Sequence, residues 1–495
     1  MKKILYSITL AGCLAFTASC VDLTQEPQSF STVDSYFKLL DQSSLEKFTT
    51  ALYNDLWGGN YGFNCRMQSI NVCADDVTFR AAKPDNRLGN FNNLSPDIMQ
   101  NNADVSTTWD LFFKAINDAN AVINKTVFPN DEKQLRKFRE IVGEAYFVRG
   151  FSFLYLVRLF GDVPLVLNED ESDARMPRTS VAEVYDKAVV PSLQRAVEWL
   201  PATARKGNPA TPTRWAAKLC LADAYMSMAG WPLKRTECYA KAAELTKDII
   251  DNSGLKLTGK YAEIWKESNK NSTDEVMFAL LHSVANKSAS QYGKSYYPSD
   301  FKPNAGWADY YGNEAFYLNY PDDERKAWNY MTQWNTKKGL VQYKASADKL
   351  PAISKYYDYN DGAPGKSQLS NGMTCIYRYA EALLTYAEAS TRATGNVNAQ
   401  ALAAIQAVQK RAGYASDKLT DTTEPAAFLK AVSDERGWEF FAEMKRWFEL
   451  VRLEKVKEVK VAQWDNSLFK AQNHYYLPIP YQQIQLTGWS NNAGY

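Results

Sequence analysis

Hydrophobic positions in the first half of the chain fall at helical spacing. From Leu135, apolar residues recur at Phe138, Ile141, Val142 and Ala145, a period near 3.6 residues. The run then turns apolar nearly all round through Phe151, Phe153, Leu154, Leu156 and Val157, which predicts a buried helix ended by Gly161. Ser180-Val-Ala-Glu183 reads as a capping box, the serine covering an orphan amide and the glutamate reaching back. The helix it opens sets Val181, Tyr185, Ala188, Ala196, Val197 and Leu200 on a core face; Pro191 kinks it and Pro201 stops it.

Two further helices are predicted over 214–229 and 236–250, joined by a Gly-Trp-Pro turn. Small residues stand where such a pair must approach, Ala216, Ala217, Ala222 and Ala224 facing Ala240, Ala242 and Ala243. The same design returns with 377–391 and 399–411 around Gly395. Antiparallel pairs of this kind resemble tetratricopeptide units, and generic helical hairpins fit the periodicity equally.

Between 252 and 371 the pattern changes: Gly, Pro, Asn and Asp are frequent and no helical period persists. Residues 292–359 hold 17 aromatics in 68 positions, about twice the density of the chain, without a helical stripe. Long irregular stretches inside compact domains are uncommon and usually functional. Residues 64–102 are similar and carry Asp75, Asp76 and Arg80. The expectation is a mostly α fold: one domain over 20–495, with a scaffold of tetratricopeptide-like helical hairpins and loop-rich excursions at 64–102 and 252–371 forming a binding face.

The chain opens with processing signals. Lys2 and Lys3 precede a short apolar run over 4–16, and Thr17-Ala18-Ser19 leads to Cys20. A run this short fits a signal-peptide core better than a membrane span, which needs roughly 20 apolar residues. Residues 1–19 are thus expected to be a signal peptide and Cys20 a lipidated mature N-terminus; an ordinary secretory signal with a nearby cysteine is the alternative. The apolar run over 145–160 is interrupted by Arg149 and Arg158, so the membrane assignment rests on Cys20 alone. Without Lys2 and Lys3, 55 basic residues face 56 acidic ones, a balance that argues against nucleic acid or a polybasic membrane surface as partner. Cys65, Cys73, Cys220, Cys238 and Cys375 form no CxxC knuckle or disulfide framework. Cys65 and Cys73 either pair across one loop or remain thiols, and Cys220 reads as a buried thiol beside Ala217 and Ala224.

Four blocks, in order, resemble the SusD/RagB family of Bacteroidetes surface lipoproteins. They are Cys20-Val-Asp-Leu-Thr-Gln-Glu-Pro27; Arg149-Gly-Phe-Ser-Phe-Leu-Tyr-Leu-Val-Arg-Leu-Phe-Gly-Asp-Val-Pro-Leu165; Arg378-Tyr-Ala-Glu-Ala-Leu-Leu-Thr-Tyr-Ala-Glu388; and a paired ending. That ending is Glu435-Arg436 with Arg446-Trp-Phe-Glu-Leu-Val-Arg452, followed by Leu477-Pro-Ile-Pro480. Met444 departs from a position where the family commonly has glycine, Glu449 from aspartate and Leu453 from an aromatic. The resemblance implies a nutrient-binding lipoprotein at the outer membrane and cell surface, partnered by a TonB-dependent (SusC-like) transporter over which it sits as a lid. Arg378 with Glu381, and Glu435, Arg436, Glu439, Glu443 and Arg446, read as ordinary helical ion pairs.

Catalysis has little material. His282 and His474 are the only histidines, neither lies in a ligand-spaced cluster, and there is no GxSxG, GxGxxG or P-loop; no cofactor or metal is implied. Binding needs apolar faces and a few polar groups. Loop-borne aromatics suit the flat C–H faces of sugar rings, so the expected platform draws on Tyr296, Trp307, Tyr310, Tyr311 and Trp334. Each of these rings could instead pin a loop to the core. Asp76 and Arg80 are expected to bond ligand hydroxyls, or else each other. Glycan capture is the leading function. Oligopeptide capture and a tetratricopeptide-like interaction scaffold without a small ligand are the alternatives.

Overall fold

The computed structural model describes residues 37, 40–57, 67–80, 86–92, 101–168, 175–286, 288–302, 305–357, 370–460 and 475–495. Residues 1–19, Cys20, Cys65 and His474 lie outside them.

Helices α1 (Gln42–Asp55), α2 (Ala103–Lys125) and α3 (Glu132–Phe160) open the fold. The Asp131 side chain accepts the Gln134 amide at the start of α3, and Gly161 ends it at φ 72°, a left-handed value that suits glycine. The two arginines that interrupt its apolar run each find partners inside the protein. Arg149 donates to Asn120 and Ser192 at 3.0 Å, and Arg158 donates to Asp223 at 2.9 Å while lying over Tyr155 and Phe448. No helix among the described residues is long and apolar enough to cross a membrane.

The helix after Ser180 is interrupted where Pro191 demands it. Val181–Val184 passes into a π stretch, Tyr185–Val189, before α4 (Val190–Trp199). Pro191 has no N–H for the Lys187 carbonyl and its ring crowds that group; the wider turn, with Val190 N–H bonded to Tyr185 O, relieves the clash. Only the serine half of the capping box forms, because the Glu183 carboxylate takes the Ser180 hydroxyl and Lys187. Helix α3 passes α4 at Gly150, where an added Cβ would come within 2.7 Å of Leu193.

Helices α5 (Arg214–Ala229) and α6 (Cys238–Asn252) form the first predicted hairpin, and α7 (Tyr379–Thr394) and α8 (Ala399–Arg411) the second. Helix α6 packs along α7, so hairpins more than a hundred residues apart in sequence are neighbours in one stack. Of the alanines expected at the α5–α6 contact, Ala216, Ala217, Ala222, Ala224 and Ala242 are buried, but Ala240 is exposed because it lies on the outer face of α6. Cys220 is a buried free thiol, as is Cys73.

Strand β1 (Val77–Phe79) belongs to the early excursion, and β2 (Val276–Leu281), β3 (Tyr310–Gly312), β4 (Gln333–Thr336), β5 (Gly339–Gln342) and β6 (Met373–Arg378) to the late one. Antiparallel pairing of β2 with β6 closes the neck of the late excursion between the two hairpins. A buried charge network fastens it there. Arg378 bonds Glu275, Glu439 and Glu443; Arg411 bonds Glu275 and Glu439; Arg325 bonds Asp323, Glu435 and Glu439; Lys355 bonds Glu443. This corrects the expected helical ion pairs. Arg378 turns away from Glu381 because it caps β6 inside the protein, and Glu381 faces Lys445 and Arg436 instead. Buried charges need partners, and helix α9 (Pro425–Glu439) with the turn after it supplies them by delivering three glutamates to one place.

Candidate site at the junction of the two excursions

The early and late excursions meet in one ladder. Strand β1 pairs antiparallel with β3, Val77 opposite Gly312 and Phe79 opposite Tyr310. That register sets Arg80 one residue beyond the Phe79–Tyr310 pair, at the end of the ladder. The Trp307 segment is clamped by backbone bonds: Gly306 N–H to Pro298 O, Trp307 N–H to Lys294 O, Ala308 N–H to Tyr297 O and Asp309 N–H to Ser295 O, at 2.8–3.0 Å. Ala308 turns the chain at φ 56°. Pro303 and Asn304 of the predicted turn lie outside the described residues.

Trp307 is half-buried, and the Lys294 ammonium sits 4.7 Å from its ring centroid, so one face of the indole is occupied by a cation. Arg80 donates from Nε to Asp348 at 2.8 Å, and the Tyr311 hydroxyl donates to the other oxygen of the same carboxylate at 2.8 Å. Among the described residues the two terminal nitrogens of Arg80 have no partner, leaving a donor fork at the end of the β1–β3 ladder. Asp348 orients the fork, and no sequence signal flagged it, since it stands 268 positions from Arg80.

Four of the expected platform rings lie inside the protein. Tyr296, Tyr310, Tyr311 and Trp334 are at most 3% exposed and leave no face for a ligand. Tyr296 packs between Tyr310 and Tyr356 in tilted ring contacts, and Tyr310 shares a hydroxyl contact with Ser69. Trp334 donates its indole N–H to Asp300 at 2.8 Å from the β4–β5 hairpin. The physical reason is that an excursion without long helices must build its own small core, and aromatics supply the most buried area per residue. Asp76 is corrected likewise. It is 1% exposed and accepts the Ala442 amide at 3.0 Å, tying the early excursion to the turn after α9; Asp75, beside it, pairs with Arg446. Burial, reinforced by the Asp75 charge, pushes the Asp76 carboxyl up to about 7. Arg80 and Asp76 do not pair, because Arg80 is taken by Asp348. His282 is a core residue against Trp57 and Thr374, and burial with Lys270 nearby pushes it down to about 3. Of the expected site, Trp307 and Arg80 are the residues that remain half-buried rather than buried.

Residues 31–226 match a family model described as starch-binding, associating with outer membrane, and residues 260–495 match the model of the SusD family. The chain belongs to the SusD family. The SusD-like protein P2 of Formosa agariphila is 26% identical over all of this chain and all of its own. A SusD superfamily protein from Parabacteroides distasonis superposes with a TM-score of 0.77 at 22% identity, covering 92% of this chain and 98% of that one. A laminarin binding SusD-like protein superposes at 0.75 and 20% identity over 92% of this chain and 99% of that one. At these identities the superpositions show a shared fold. Within this SusD fold, Arg80 comes from the first matched stretch and Trp307 from the second, and the β1–β3 ladder is what joins them.

Proposed function

We propose that this SusD-family protein captures a nutrient glycan at the Trp307–Arg80 face and hands it to a TonB-dependent outer-membrane transporter. The observation that carries the reading is the half-buried indole held by four backbone bonds, with the Arg80 donor fork fixed by Asp348 at the end of the β1–β3 ladder. A flat apolar ring next to directional donors is what a pyranose requires: C–H faces stack on the indole while hydroxyls meet the guanidinium. A solved relative of the same fold is a laminarin binding protein, which supports a saccharide over a peptide ligand. The role is binding rather than catalysis, anchored through acyl chains on Cys20 at the cell surface. Tethering beside the transporter raises the effective concentration of captured glycan at its mouth, so modest intrinsic affinity suffices.

Calorimetric titration of wild type and Trp307→Ala with neutral oligosaccharides, alongside melting curves, tests this. Loss of the stacked ring is expected to cost about 1–3 kcal/mol of binding, with little change in melting temperature. A variant that binds as wild type does, or that melts early, refutes Trp307 as a ligand contact.

A further inference from the structure

A cleft of about 480 Å³ lies at the other, helical part of the molecule, between α2, residues 164–166 and the C-terminal segment, and shares no residue with the Trp307 face. Its volume falls in the range of small-molecule sites. Helix α2 builds most of it by presenting two stripes side by side: Trp109 and Phe113 one turn apart, and Asp110, Lys114 and Asp118 on the adjoining row. Trp109 forms the floor. It is 3% exposed, closed from behind by Phe160 at 5.1 Å between ring centroids, and flanked by Phe113 at 4.9 Å and Trp489 at 6.3 Å. Phe113 and Trp489 are half-buried and turn partly exposed faces to the cleft.

The polar rim has unspent hydrogen-bonding capacity. Among the described residues the side chains of Asp110 and Gln483 have no hydrogen-bond or ion-pair partner, and Asn117 Oδ1 is shielded from water with none. Lys114, the one cation that the described residues bring to the lining, is already bonded to Asp55 at 2.7 Å and Asp118 at 2.6 Å. Among the described residues an anionic ligand would thus find no available countercharge and would face two carboxylates. Aromatic walls, unpaired acceptors and donors, and no spare cation select one ligand class.

From these features we infer that the cleft is a second saccharide site, for one or two rings of a neutral glycan. The inference rests on the glycan reading of the Trp307 face in that both sites would grip one chain; two weak grips on a polymer give retention far above either alone.

Fluorotryptophan labelling of the full chain, with the Trp307 and Trp489 resonances assigned through Trp→Phe variants, reads the two sites separately. Maltoheptaose and laminarihexaose serve as neutral probes and trigalacturonic acid as the acidic one. At least one neutral probe is expected to shift Trp489 saturably in the millimolar range, while trigalacturonic acid leaves it unmoved. Asp110→Ala or Gln483→Ala, both at unpaired side chains, should weaken the Trp489 titration at least fivefold and leave that of Trp307 unchanged. A Trp307 response with Trp489 silent overturns the second site alone. A Trp489 response with Trp307 silent overturns the Trp307 face and leaves the cleft standing; silence at both overturns both. A Trp489 titration that ignores both rim substitutions, or follows the acidic probe equally, also overturns the assignment.

Discussion

Replacing Arg378 by methionine removes one charge from the network that fastens the late excursion to the helices. Arg378 is 1% exposed and bonds three carboxylates, Glu275, Glu439 and Glu443, as well as the Glu439 carbonyl. Methionine keeps the length and apolar stem but leaves those acceptors short of donors, and Glu443 is left with Lys355 alone. Breaking a buried pair from one side costs about 3–5 kcal/mol. At about 2.1 cal/mol/K per residue, the unfolding entropy of a chain this long is about 1 kcal/mol/K, so the melting temperature should fall by about 3–5 °C. The loss should also depend on pH. Burial alone would raise Glu439 and Glu443, yet Arg411, Arg378 and Arg325 hold the first below its usual range, and Arg378 with Lys355 the second. A depressed carboxyl contributes stability above its unfolded value that is lost as pH falls through its folded value. The variant, with less depressed carboxyls, protonates at higher pH, so its deficit should be full at pH 6, above the usual carboxyl value near 4.5, and smaller at pH 3.5. Melting curves at both values, with Lys430→Met at the exposed Lys430–Asp434 pair as control, make the comparison. The control should move by less than about 1 °C. An Arg378→Met protein that melts with wild type, or whose deficit is the same at both pH values, refutes the reasoning.

The other expected outcomes are briefer. Asp76→Asn keeps the acceptor for Ala442 but removes the titration; since the folded carboxyl sits at about 7, wild type loses stability as pH rises from about 4 through 7. The variant should match wild type near pH 4 and melt higher at pH 8, and equal melting at pH 8 would count against a raised Asp76. His282, held near 3, works in the opposite sense: its neutral form is stabilised, so this contribution is complete above the unfolded value near 6.5 and fades as pH falls toward 3. His282→Gln should accordingly flatten the acid limb of the stability profile, and an unchanged limb would contradict that. Cys20→Ala should release a folded protein from the detergent phase, because stable anchoring needs more than one acyl chain; equal partitioning would sink the lipid anchor. Mild-detergent purification from native membranes should bring down a TonB-dependent barrel, and repeated recovery of this protein alone would weigh against the transporter partnership.

The helical scaffold was legible because its determinants are local. The period through Phe138 and Ala145, the stop at Gly161 and the Ala-rich faces of α5 and α7 are properties of neighbouring residues. The ion network was not legible, because Arg378, Glu275 and Glu439 converge from three segments and only the nearest glutamate, Glu381, is visible by spacing. Aromatic density located the excursion without saying which rings face outward. With no helical stripe to set sides, only the β1–β3 register and the clamp on Gly306 to Asp309 separate Trp307 from Tyr310 and Tyr311. Met444, which departs from a family glycine, stands at φ 61°, so the family preference answers a left-handed turn and methionine here bears that strain.

A crystal structure of the protein soaked with a neutral oligosaccharide tests the central claim most directly. The account predicts a sugar ring stacked on Trp307 with a hydroxyl within hydrogen-bonding reach of an Arg80 terminal nitrogen, and Asp348 unmoved. Ligand density that leaves Trp307 and Arg80 untouched while occupying another part of the surface would contradict it.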